Sequence, residues 1–155
     1  MSEFNNTGHD SLTSNSRRLS MMLAGLAIAL RLNSWFNPAF REHLKEGRWV
    51  LQVRTEDGRV CRHFVFQAGR FSSRASVHPS PDFEQVWVQA ADAVFALPHP
   101  DRTELLRANE NGRVRFYGEA LAALYFTEAL ELQRLGFQRL LQRLRIGNGQ
   151  KQETV

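Results

Sequence analysis

A chain of 155 residues whose only cysteine is Cys61 has no internal disulfide, and it is long enough to bury a core without one. Its net charge of +4 and pI near 10.0 come almost wholly from arginine. That balance permits weak attraction to acidic surfaces but does not by itself specify lipid or nucleic acid.

Residues 1–15, rich in Asn, Ser and Thr, have the composition of a disordered tail. Arg17-Arg18 then precede an apolar run from Leu19 to Leu30. Together with Ala27-Ile28-Ala29 this mimics a twin-arginine export signal, although Leu19-Ser20 fit that signal poorly. The run is shorter than the ~20 residues that span a bilayer. We read it as a helix of the domain with Leu23, Leu26, Ile28 and Leu30 inside; export would leave a native chain beginning at Leu30. Asn37-Pro38 reads as a helix cap followed by Pro at the first helical position, opening PAFREHLKEG, which ends at Gly47.

WVLQVRT alternates apolar and polar residues with the period of a half-buried strand. Glu56-Asp57-Gly58 and Ala68-Gly69 are turns on either side of VCRHFVFQ, and RFSSRAS follows. After the break at 78–82, FEQVWVQ predicts a fourth strand, AADAVFAL and RTELLRAN two short helices, and RVRFYG a fifth strand. From Glu119 to about Arg145 the spacing predicts one long helix or a pair jointed at Gly136. The expected architecture is α+β: a twisted five-stranded sheet with helices packed on one face. A single domain over 16–145 lies between tails 1–15 and 146–155.

The stretches "VLQVRTEDGRVCRHFVFQAGRFSSRASVHPSPDFEQVWV", "ADAVFAL" and "ENGRVRFYGEALAALYF" resemble the lipid-binding domain of the sterol carrier protein 2 family. A glycine turn between strands, Pro81-Asp82-Phe83 opening the next strand, and Phe116-Tyr117-Gly118 closing the last before an apolar helix carry the likeness. It covers roughly Trp49 to Leu132. "LRLNSWFNPAFREHL" resembles the leading helices of bacterial members. Gln85 and Gln89 depart from it by placing amides in a strand usually more apolar. Arg113 and Arg115 depart from it by making the last strand basic.

The resemblance implies non-catalytic binding or presentation of a long apolar lipid in a tunnel between sheet and helices. The ligand would be sterol-like, a fatty acyl chain or an isoprenoid quinone intermediate, and some bacterial relatives assist ubiquinone synthesis. Such a ligand wants an apolar cavity with few polar anchors. Each buried methylene contributes about 0.8 kcal/mol. The candidate lining is Trp49, Leu51, Val53, Phe64, Phe66 and Phe71, continued by Phe83, Trp87 and Phe116. Leu26, Leu30, Phe36 and Phe40 would roof it on one side, and Leu121, Leu124, Tyr125 and Leu132 on the other. The same residues also suit an ordinary core.

Other constellations carry less. Cys61 and His63 share one side of a strand, but no placed partner completes a nucleophile pair or metal site. His78, His99, Asp82 and Asp101 suit turns and caps. No phosphate loop, paired catalytic carboxylates or serine elbow is present, so no catalytic residue, metal or cofactor is expected. Arg54, Arg62, Arg70, Arg74, Arg113 and Arg115 fall on or beside strands. They lack the spacing of an RNA-recognition motif, and attraction to an anionic membrane is the stronger expectation. The amphipathic stretch Leu132 to Gly147 allows an alternative role, an accessory module for a membrane-associated or quinone-biosynthesis enzyme. The expected location is cytoplasmic, peripheral at the membrane; nucleic acid is a distant third partner.

Overall fold

A computed structural model describes residues 6–99 and 103–149, with backbone alone for 6–11, 140 and 143–149. In chain order it contains α1 (Asn6–Phe36), α2 (Pro38–Glu46), β1 (Arg48–Thr55), β2 (Cys61–Gln67) and β3 (Arg70–Arg74). Then follow β4 (Phe83–Trp87), α3 (Ala90–Ala96), α4 (Thr103–Glu110), β5 (Val114–Gly118) and α5 (Ala120–Gly149). The five strands form one sheet in the order β3-β2-β1-β4-β5. Only the β1–β4 pair is parallel; β1–β2, β2–β3 and β4–β5 are antiparallel.

Cross-strand register fixes which residues share a face. Leu51 lies opposite Phe64 and Trp49 opposite Phe66, while Thr55 lies beside Trp87. These side chains meet the helical layer, where Phe64 packs on Phe126 with ring centroids 5.6 Å apart. The buried cluster continues through Leu19, Leu23, Ala27 and Leu30 of α1 and Ala122, Tyr125, Phe126 and Ala129 of α5. The β3–β4 connection covers part of the other sheet face. There Ser76 O accepts from His63 Nδ1 at 2.7 Å, and His78 N donates to Gln52 Oε1 at 2.6 Å. Asp82 Oδ2 accepts from Val50 N at 2.6 Å. This connection buries Gln52 and His63, polar residues on the nominally open face.

Of the two long helices, α1 starts earlier than the sequence suggests, and α5 takes the first of its two expected forms, one long helix. Helix α1 begins at Asn6, inside the stretch whose composition predicts disorder, because packed turns from Leu19 onward nucleate a helix that extends cheaply toward the N-terminus. From Leu12 to Phe36 it is long and apolar enough to cross a membrane by length and composition, although the run Leu19 to Leu30 alone is not. Yet Leu19, Leu23, Ala27 and Leu30 are inside the domain, so this helix supplies a face of the core. Ile28, expected inside, is exposed. Helix α5 is continuous through Gly136 to Gly149, and 150–155 lie outside the described residues. Gly136 is a crossing point, not a joint: a Cβ there would collide with Asn33 and Asn37. Asn37 caps α2 by accepting from Ala39 N and Phe40 N, and its amide donates to Leu132 O of α5 at 3.1 Å.

Candidate functional site

The expected lipid-contacting residues divide into three groups. Leu30, Phe40, Leu51, Val53, Phe64, Phe66, Phe71, Phe83, Trp87 and Tyr125 are buried between sheet and helices. Leu26, Trp49, Phe116 and Leu132 are half-buried against that cluster. Phe36, Leu121 and Leu124 are not in the layer, being exposed by 73%, 65% and 63%. The reason is that 121–126 is apolar at every position, so periodicity does not select a face. The stripe that packs is Ala122, Tyr125, Phe126 and Ala129, at i, i+3, i+4 and i+7, which turns Leu121 and Leu124 outward. Phe36 ends α1 beside Trp35, and both rings are exposed. Sequence reasoning missed Phe126, whose ring also meets Phe66 at 6.2 Å; its spacing from Ala122 and Ala129 was the available signal.

Between sheet and helices the described buried side chains form one apolar cluster. Two hollows, of about 350 and 570 Å³, open on the surface, the first against the N-terminal half of α1 and the second between α1, α2 and the β2–β3 turn. Most of the residues expected to line a tunnel pack against one another in this cluster. Within this cluster two buried polar atoms have no hydrogen-bond partner among the described residues, Gln85 Oε1 and Trp87 Nε1. Both belong to β4, two residues apart, and so face the same side. Gln85 lies beside Val53 and opposite Phe116, and Trp87 beside Thr55 and opposite Val114. One atom is an acceptor and the other a donor, each costly to bury alone.

A polar lock holds α2 to α5 at one end. The His43 ring stacks on Tyr125 at 4.0 Å, and its Nε2–H donates to Tyr125 O at 3.1 Å. Tyr125 OH returns a bond to His43 O at 3.0 Å. Burial drives the Tyr125 phenol well above its usual range, so it stays a neutral donor.

The remaining candidates are structural. Cys61 Sγ donates to Ser76 O at 3.5 Å, the same oxygen that accepts from His63. Burial pushes the Cys61 thiol up, the opposite of what a nucleophile needs. Among the described residues no group of His, Cys, Asp and Glu could hold a metal ion. The strand arginines do not form one binding face: Arg54 pairs with Glu84 at 2.8 Å, Arg113 with Asp92 at 3.4 Å and Arg115 with Glu56 at 3.0 Å. Gln89 is exposed at the start of α3, and Asp101 lies outside the described residues.

No protein-family model matches the sequence, and no curated protein does. Solved structures do. The chain aligns with a UbiJ-SCP2 ubiquinone synthesis protein at 17% identity and a TM-score of 0.54, over 74% of this chain and 93% of that one. It aligns with the sterol carrier protein domain 2 of Helicoverpa armigera at 15% identity and a TM-score of 0.50, over 72% and 85% respectively. The fold is thus that of the sterol carrier protein 2 class. At these identities the likeness is one of architecture, as expected from the strand order and the helix-covered face.

Proposed function

We propose that the protein binds and presents a long apolar lipid bearing one polar end, without catalysing a reaction on it. The observation that carries this reading is the pair of orphaned atoms, Gln85 Oε1 and Trp87 Nε1, inside an otherwise apolar layer. A ligand hydroxyl accepts from an indole N–H and donates to an amide oxygen, satisfying both at once. Its chain would displace α1 and α5 from the sheet and replace side-chain contacts with methylene contacts of similar strength. A sterol and a phenolic isoprenoid quinone intermediate present such an end, whereas a fatty acyl group, whose oxygens only accept, would satisfy the Trp87 donor alone. The sterol carrier architecture supports the reading.

The outer surface suits exchange at a membrane. Met21, Ile28, Leu32 and Trp35 form an exposed apolar stripe along α1, opposite its buried face. Presentation at an anionic cytoplasmic membrane follows from that stripe and the basic charge. Exposed Leu135, Phe137 and Leu141 on the distal part of α5 favour a second reading, an accessory module that docks a membrane-associated or quinone-biosynthesis enzyme.

Native mass spectrometry of the freshly purified protein, followed by solvent extraction, tests the first reading. The expected result is a stoichiometric lipid mass. A bare protein that also ignores added acyl chains, sterols and quinones would overturn it and leave the docking module.

A further inference from the structure

The last turns of α1 carry Arg31, Ser34 and Trp35 at i, i+3 and i+4, so the three share one face. Arg41 and Lys45 of α2, again four apart, stand across from them, and Arg70 follows the β2–β3 turn. With Ala68, Gly69 and Phe71 these residues line the open hollow of about 570 Å³. Its turn wall is tied in place: Gly69 N donates to Leu44 O at 2.9 Å and Ala68 N to Gly47 O at 3.2 Å. Those bonds also occupy carbonyls at the end of α2, whose partial negative charge would oppose an anion.

The charge here is unbalanced. Lys45 is held by Glu42 at 2.7 Å. Arg31, Arg41 and Arg70 have no carboxylate partner among the described residues, unlike Arg54, Arg113 and Arg115. Guanidiniums gathered around one hollow repel one another, and an anion relieves that repulsion. Their planar forks match phosphate oxygens. Ser34 Oγ donates to Arg31 O at 2.6 Å, which holds its hydroxyl in one orientation. The Trp35 ring, 60% exposed, offers an apolar surface next to the cations. The smaller hollow is a weaker case, because Arg59 there is paired with Asp57 at 3.5 Å.

We propose that this hollow binds the phosphate or diphosphate group of an organic ligand, held by Arg31, Arg41 and Arg70, with the adjoining part of the ligand against Trp35. The site adjoins the apolar layer at Phe71 but does not depend on the lipid reading.

Two probes test it on the full chain: inorganic pyrophosphate by titration calorimetry, and pelleting with phosphatidylcholine vesicles made with and without phosphatidic acid. The Arg41→Gln/Arg70→Gln variant removes two cations from the hollow. Arg74→Gln/Arg134→Gln removes the same charge elsewhere, and circular dichroism checks that both remain folded. We expect saturable pyrophosphate binding that is about tenfold or more weaker in the hollow variant and unchanged in the control. Binding of pyrophosphate without vesicles assigns a soluble phosphate ligand. Pelleting that needs phosphatidic acid and is lost in the hollow variant assigns a lipid headgroup. No binding of either probe, or losses no greater in the hollow variant than in the control, would overturn the proposal.

Discussion

Replacing Gln85 by Leu separates the stability of the apolar layer from its use. Gln85 is buried on the helix-facing side of β4, beside Val53 and opposite Phe116, and its Oε1 has no partner. An unsatisfied buried acceptor costs about 1–3 kcal/mol. Leucine has nearly the same volume, so Gln85→Leu removes that cost with little repacking. Taking about 1–2 kcal/mol as the gain, the melting temperature of lipid-free protein should rise by roughly 3–6 °C for a chain of this size. Affinity for a hydroxyl-ended long-chain lipid should fall about tenfold, because the ligand loses its acceptor and the bare protein loses its strain. Thermal unfolding by circular dichroism reads the first quantity, and a fluorescent acyl-probe displacement assay reads the second. Leu124→Trp is the matched control: Leu124 faces solvent, so both quantities should stay as in the parent. An unchanged or lower melting temperature for Gln85→Leu would refute the reasoning, since it would mean that the amide oxygen is satisfied in the folded chain.

Three further outcomes are expected. Gly136→Ala should destabilise by about 1–3 kcal/mol in urea unfolding, although alanine is worth about 1 kcal/mol over glycine in an open helix, because its methyl meets Asn33 and the Asn37 cap. Glu84 is pushed up by burial, but bonds from Arg54 and Gln52 outweigh this and leave its carboxyl below the ordinary 4.5. A depressed pKa stabilises the fold above the unfolded value and loses that contribution as pH falls through the folded one. Glu84→Gln should therefore flatten the acid limb of stability below about pH 4.5, and an acid limb as steep as the parent's would count against it. Cys61, its thiol raised by burial, should react with iodoacetamide at pH 8 more slowly than free cysteine; equal rates would show that the thiol is not held as described.

Much of the fold was legible because the signals were local and doubled. Trp49, Leu51 and Val53 alternate, and glycine or short polar turns close each strand, so all five strands lie within two residues of expectation. Asn37-Pro38 places the α2 cap for the same reason, since the side chain and the missing N–H both act within one turn. What was not legible depended on long-range packing. Leu121 and Leu124 are as apolar as Tyr125 and Phe126, and long-range contacts fix the rotation of α5: the crossing at Gly136, the lock to His43 and the packing of Phe126 on Phe64. The orphaned atoms of Gln85 and Trp87 were half visible: the amide stood out in the sequence as a departure, but its lack of a partner is a tertiary fact. The basic hollow joins residues from 31 to 71; of the arginines emphasised along the strands, Arg54, Arg113 and Arg115 are already paired and Arg70 alone lines the hollow.

Phe71 connects the two proposed sites. Its ring lines the basic hollow and also belongs to the core, packed against Phe66 at 5.2 Å and Phe64 at 6.4 Å. One side chain thus stands between a pocket for an anionic head and a layer suited to an apolar tail. If one amphiphile uses both, its tail must pass where Phe71 sits, and affinity must then grow with chain length by up to about 0.8 kcal/mol per buried methylene. Alkyl phosphates of increasing length should show that slope in calorimetry, starting from the affinity of inorganic phosphate. Phe71→Trp, bulkier at the same boundary, should abolish the slope and leave the phosphate term intact, because no arginine of the hollow is touched. Two independent sites would instead give affinity that does not respond to chain length, or a slope that Phe71→Trp leaves unaltered. Either result would detach the hollow from the apolar layer and make it a site for a compact phosphate ligand.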